Sequence, residues 1–103
     1  MPQAVIYNVT TVVMPQIEER WLQWMQDVHI PEVLGTGCFE KHQLVKLMSL
    51  EDEENATYAV QYYAANKSDY DRYIELYAVE LRKAVKSKWG DNALSFSTLM
   101  AVL

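Results

Sequence analysis

Twice along this chain a run of β-branched and aromatic residues gives way to apolar residues at helical spacing, with proline or glycine near the boundaries. Ala4 to Met14 is rich in Val, Thr, Ile and Tyr and lacks Gly and Pro, the composition of a strand, and Pro15 closes it. Ile17, Trp21, Trp24, Met25 and Val28 then recur on one helical face, with Glu18, Glu19, Gln23 and Gln26 mostly elsewhere. Pro31 disfavours helical geometry at Ile30, so this helix is expected to end or kink at His29 and Ile30. Pro31 can itself start a short turn of helix through Leu34, stopped by Gly35 and Gly37. Cys38 to Leu50 reads as a second strand, Glu51 to Asn55 as an acidic loop, and Ala56 to Ala65 as a third strand in hairpin with the second. The second helix has Ser68 as its expected N-cap, with Asp71 in a capping-box position. Its apolar stripe is Tyr70, Tyr73, Ile74, Tyr77, Leu81, Ala84 and Val85, while Arg72, Glu75, Arg82, Lys83 and Lys86 fall largely on the other side. Gly90 stops it, and Ala93 to Val102 is the last strand.

This order is the ferredoxin-like βαββαβ arrangement of an α+β domain, a four-stranded antiparallel sheet with both helices on one face. Residues 1–103 are expected to form a single domain, whose core needs neither disulfides nor a structural metal. A solvated open face should make each strand alternate between apolar and polar residues. These strands do not alternate. Val5, Tyr7, Val9 and Val13 oppose Ile6, Val12 and Met14; Tyr58, Val60 and Tyr62 oppose Ala59 and Tyr63. Leu99 and Leu103 oppose Leu94, Phe96, Met100 and Val102. An apolar open face of this kind calls for a cover, and a homodimer with its two sheets face to face is expected.

Charge and cysteine content exclude whole classes of partner. A net charge of −5 disfavours nucleic acid and anionic membrane surfaces, both of which need a basic footprint. The single Cys38 cannot close an intramolecular disulfide. The N-terminal residues lack a basic segment followed by a cleavage site, and no apolar run reaches the length of a membrane span, so a cytoplasmic location is expected.

The chain resembles the dimeric α+β barrel superfamily, whose members share this element order and pair their open sheet faces. More closely, it resembles a bacterial family of similar length known only as a domain of unknown function. The residues that carry the likeness are Ile6-Tyr7-Asn8-Val9-Thr10, Trp21-Leu22-Gln23-Trp24-Met25, His29-Ile30-Pro31-Glu32-Val33-Leu34 and Thr36-Gly37-Cys38-Phe39. Tyr58-Ala59-Val60-Gln61-Tyr62 and Asp71-Arg72-Tyr73 extend it over almost the whole chain. The resemblance implies a fold and a dimer but no chemistry, because the wider superfamily holds monooxygenases, cyclases, isomerases, dehydratases and haem enzymes alike.

His29 is the candidate catalytic residue. On the helix it stands about 100° from the centre of the tryptophan stripe, at the edge of the buried face. An imidazole suits proton transfer near neutral pH. Superfamily enzymes often carry a similar His-x-Pro at the end of the first helix, which is a further implication of the resemblance. The competing structural role is a cap, with the imidazole donating to a carbonyl of the last turn. Trp24, Tyr58, Tyr62 and Tyr77 are expected to line a small apolar pocket between helices and sheet, with Asn8 and Gln61 as polar ligand contacts. Helical spacing alone explains Trp21 and Trp24 as core, while indoles on that inner face can also line an aromatic pocket with Tyr70, Tyr73 and Tyr77 opposite.

No metal and no cofactor are expected. His29, Cys38 and His42 lack the close spacing of a zinc motif, and Glu51 to Glu54 lacks the spacing and central glycine of a calcium loop. Helix two has no histidine to serve as the axial ligand that superfamily haem enzymes place there. RNA-recognition domains share the element order, but Glu54-Asn55-Ala56-Thr57 stands where their motif wants a basic residue and glycine. The leading expectation is therefore a small-molecule pocket, with cofactor-independent acid–base chemistry at His29. The alternative is a non-catalytic dimeric module for ligand sensing or assembly.

Overall fold

The computed structural model describes residues 3–49 and 54–103, so most of the acidic loop, Glu51 to Glu53, lies outside the described residues. β1 (Val5–Val13) pairs antiparallel with both β3 (Ala56–Ala64) and β4 (Ala93–Ala101), and β2 (Lys41–Lys46) pairs antiparallel with β3. The sheet order is β2-β3-β1-β4, the ferredoxin-like topology expected from the element order. β2 is shorter than the sequence suggested. Cys38 and Phe39 precede it as buried loop residues, and Glu40 already donates its N–H to the Tyr63 carbonyl at 2.8 Å.

Register assigns every strand residue to a face. Val5, Tyr7, Val9, Thr11 and Val13 pair with Ala64, Tyr62, Val60, Tyr58 and Ala56, and this set turns toward the helices. The opposite parity faces away, and one of its rows is polar across all four strands. Gln43 lies beside Gln61, Gln61 beside Asn8, and Asn8 beside Thr98. Around that row stand Ile6, Val12, Leu94, Phe96 and Met100, with Leu94 51% and Phe96 62% exposed. The open face is therefore apolar mainly along β1 and β4, with a polar stripe through it.

The first helical region does not stop at the proline. A 3₁₀ turn (Pro15–Ile17) leads into α1 (Glu18–Trp24), a π turn (Met25–His29) and α2 (Ile30–Gly35). In the π turn the Ile30 N–H reaches back five residues to the Met25 carbonyl, which inserts one residue into the helical register. The buried stripe consequently runs Ile17, Trp21, Met25, Ile30, Val33, and Val28, expected on that stripe, is exposed instead. Pro31 sits in the first turn of α2, where its missing N–H removes little. The kink expected at His29 and Ile30 is thus absorbed as a change of helix type.

The second helical region is capped two residues earlier than expected and is broken in the middle. Asn66, not Ser68, is the N-cap of α3 (Lys67–Leu76): its Oδ1 accepts from the Asp69 N–H at 2.9 Å and from the Ser68 hydroxyl at 2.7 Å. Tyr77, with φ −126° and ψ −32°, separates α3 from α4 (Ala78–Trp89). Gly90 ends α4 at φ 58°, a left-handed value that suits glycine. Trp21 lies at the centre of the core, 5.1 Å from the Tyr58 ring. The Tyr58 hydroxyl donates to Glu18 Oε2 at 2.6 Å, tying α1 to β3, and Lys46 Nζ joins the same oxygen at 3.4 Å. The Tyr58 bond holds Glu18 below the usual carboxylate range, while burial first and then Glu18 push the Tyr58 phenol up to about 12.

Candidate functional site

The helices do not cover the sheet evenly. Ser95 and Ser97 of β4 point to the helix side by register yet remain exposed, so a gap stays open between α4 and the β1–β4 half of the sheet. The gap is a cavity of about 420 Å³, within the range of small-ligand sites. Val9, Met25, Val33 and Val85 make its apolar wall, and Tyr7, Thr11, His29, Tyr62, Tyr73 and Arg82 its polar one.

Each polar group is held by a traceable arrangement. Thr11 and Ser95, opposite each other in the β1–β4 register, share a 2.7 Å hydroxyl hydrogen bond. Arg82 of α4 donates from Nη2 to the Tyr7 hydroxyl at 3.0 Å, bridging the helix to the central strand. That bond keeps the guanidinium firmly charged. Tyr7 packs against Phe39, Tyr62, Tyr70 and Tyr73, with ring centroids 5.5 to 6.1 Å apart. Burial raises the Tyr62 and Tyr73 phenols, so both stay protonated and available as donors.

His29 belongs to this cavity, and the π turn brings it there. Its ring stacks on Trp24 at 5.3 Å with an interplanar angle of 19°, and Trp24 is braced edge-on by Trp89 at 5.9 Å. Desolvation lowers the imidazole from its ordinary 6.5 to about 4, so it is neutral at physiological pH. The capping bond considered from sequence is not what Nδ1 makes: that atom is buried without a hydrogen-bond partner. The Tyr62 hydroxyl and the Trp21 indole N–H are likewise buried and unpartnered. All three residues line the same cavity, which concentrates unused hydrogen-bonding capacity in one wall.

The expected site residues separate accordingly. His29 and Tyr62 line the cavity. Trp24 supports the imidazole from behind, Tyr58 is committed to Glu18, and Tyr77 sits at the α3–α4 junction, so these three do not line it. Asn8 and Gln61 lie on the other face of the sheet, where Asn8 Nδ2 donates to Thr10 Oγ1 at 3.0 Å and Gln61 Oε1 accepts from the Tyr63 hydroxyl at 3.4 Å. Strand parity separates them from Tyr62, and no single pocket holds the whole expected set. Sequence reasoning missed Tyr7, Thr11 and above all Arg82. Only the i and i+2 parity of Tyr7 and Thr11 with the core residues of β1 signalled their side of the sheet.

Among the described residues, no group of three or more His, Cys, Asp and Glu side chains comes together to hold a metal ion. Cys38 is buried with its thiol 3.9 Å from the Thr36 carbonyl, and His42 is exposed on β2. No helix among the described residues is long and apolar enough to cross a membrane.

Comparison with known proteins supplies a family and a fold. A family model described as Domain of unknown function (DUF4286) matches residues 4–103. A dimeric ferredoxin-like protein from an uncultured marine organism superposes with a TM-score of 0.74 at 12% identity, covering 98% of this chain and 96% of that one. The de novo designed protein Foldit4 matches with a TM-score of 0.54 at 12% identity, covering 97% of this chain and 99% of that one. At such identities the likeness is one of fold. No curated protein matches the sequence.

Proposed function

The chain belongs to the DUF4286 family, whose description carries no chemistry, and from its own cavity we propose that it binds a small molecule between helices and sheet, with His29 as a neutral proton acceptor. One observation carries this reading: an imidazole kept neutral by burial, in the wall of a cavity that also holds the unpartnered Tyr62 hydroxyl and Trp21 indole. A neutral imidazole has its lone pair free for a proton from a bound acid, a weak base at about 4 that an anion in the cavity strengthens, and protonated phenols can hold a substrate oxygen while charge develops on it. A cofactor-independent proton transfer is the simplest chemistry such a set performs. A non-catalytic sensing module would use the same cavity with His29 as an acceptor only.

The test is steric. Ser97, exposed on β4 at the cavity wall, can be replaced by tryptophan with little cost to the fold, since Trp suits a strand. In a thermal-shift screen of small uncharged aromatic fragments, binders should stabilise the wild type and lose their effect on Ser97→Trp. Equal stabilisation of both proteins would locate binding elsewhere and refute the pocket.

We further propose that the protein is a cytoplasmic homodimer through the open sheet face, as its fold neighbour, described as dimeric, suggests by analogy. Four strands spaced ~4.8 Å apart and rising ~3.3 Å per residue present on the order of 500 Å² each, about 1,000 Å² per pair, the lower bound for a specific interface. Phe96 and Leu94 are the exposed apolar anchors. Phe96→Asp should weaken association by at least about tenfold, because it buries a carboxylate in that contact. Sedimentation checks this; a wild type that runs as a monomer at micromolar concentration contradicts it.

A further inference from the structure

The chain is acidic, with a net charge of −5, yet among the described residues the cavity wall contains no Asp or Glu and two cations, Arg82 and Lys86. The two cations differ in what occupies them. Lys86 is committed to Asp91, with Nζ 2.6 Å from Oδ1. Arg82 has no carboxylate within ion-pair distance among the described residues; its hydrogen bond goes to the Tyr7 hydroxyl. A guanidinium offers five N–H donors in a planar fork suited to a carboxylate, and only part of that fork is engaged here. Tyr7 accepts from Arg82 through its oxygen, which leaves its own O–H proton to donate. Tyr62 brings a second hydroxyl, buried to 2% exposure and without a partner. Among the described residues the wall is therefore rich in donors, and its exposed Arg82 has no carboxylate partner.

Resting on the pocket reading above, we propose that the ligand is a monocarboxylate with an apolar body, its carboxylate held by the Arg82 guanidinium and the Tyr7 hydroxyl. The body lies against Val9, Met25, Val33 and Val85. Among the described residues Arg82 is the one cation of the wall outside an ion pair, which sets the charge at one. A phosphate monoester would bring a second negative charge, for which the other cation of the wall, Lys86, is already paired with Asp91, and an amine would place a cation beside Arg82. The unpartnered Tyr62 hydroxyl supplies a further donor to a ligand oxygen.

The experiment compares 2-naphthoate with 2-naphthamide, which share a body and differ in charge, by calorimetric titration of the full chain. The wild type should prefer the carboxylate by about tenfold or more, the scale of a charge-assisted hydrogen bond. Arg82→Gln should abolish the preference while leaving amide affinity within about twofold, and Arg82→Lys should restore part of it. Equal affinity of the wild type for both compounds overturns this inference and leaves the pocket standing. Failure of both compounds to bind, together with a fragment screen insensitive to Ser97→Trp, overturns the pocket and the inference with it. The wild-type comparison needs no variant, so a substitution that disturbed folding would leave the proposal decidable.

Discussion

Trp21→Ala should destabilise the protein by about 3–5 kcal/mol, the range for removing a large buried aromatic side chain. Trp21 is 1% exposed, packs on Tyr58 and stands where α1 meets the sheet, so its truncation strips that packing and enlarges the cavity beside it. Against a total stability of about 5–15 kcal/mol for a small domain, that is a large fraction. Its indole N–H has no partner, so Trp21→Phe removes a buried unsatisfied donor along with some volume. The phenylalanine variant should therefore lose less than half as much as the alanine variant. Urea denaturation of the two variants checks both statements, and a loss below about 1.5 kcal/mol for alanine would contradict the packing described here.

The second large effect is on pH dependence. Unfolded His29 titrates near 6.5 and the folded residue at about 4. Between those values the unfolded chain takes up a proton that the folded chain refuses, so acid favours unfolding. The stability linked to His29 is complete above pH 6.5, falls as pH drops toward 4, and is then exhausted; the span is roughly 3 kcal/mol. Glu18, held low by Tyr58, loses stability in the same direction but at more acidic pH. Subtracting the profile of a His29→Phe variant removes that shared background. The difference between wild type and variant should change by roughly 3 kcal/mol from pH 7.5 to pH 4, and a flat difference would mean that His29 titrates freely.

Element order, sheet topology and most of the core were legible because they follow from hydrophobic period and from proline and glycine placement. The strand face of each residue was legible too, and it already separated Gln61 from its neighbour Tyr62; grouping Asn8 and Gln61 with the pocket overlooked parity. The π turn was not legible. Helical periodicity from Ile17 to Val28 is regular, and only the burial of Ile30 and Val33 exposes the inserted residue. The break at Tyr77 has no glycine or proline to announce it. Asn66 displaced Ser68 as cap because its side chain satisfies both the Asp69 N–H and the Ser68 hydroxyl. Arg82 was hidden for a different reason. Its position on the polar side of the helix was read correctly, but that side overhangs the uncovered flank of β4, and the overhang is a tertiary property no local pattern records.

NMR titration of the His29 ring resonances tests most directly whether a neutral imidazole stands in the wall of a ligand cavity. In the free protein the resonances should titrate at about 4, well below the ordinary 6.5. Saturating 2-naphthoate should raise that value, because a carboxylate in the cavity favours the imidazolium. An ordinary value near 6.5 that does not move when the carboxylate is added would contradict both the burial of His29 and its place in a ligand cavity.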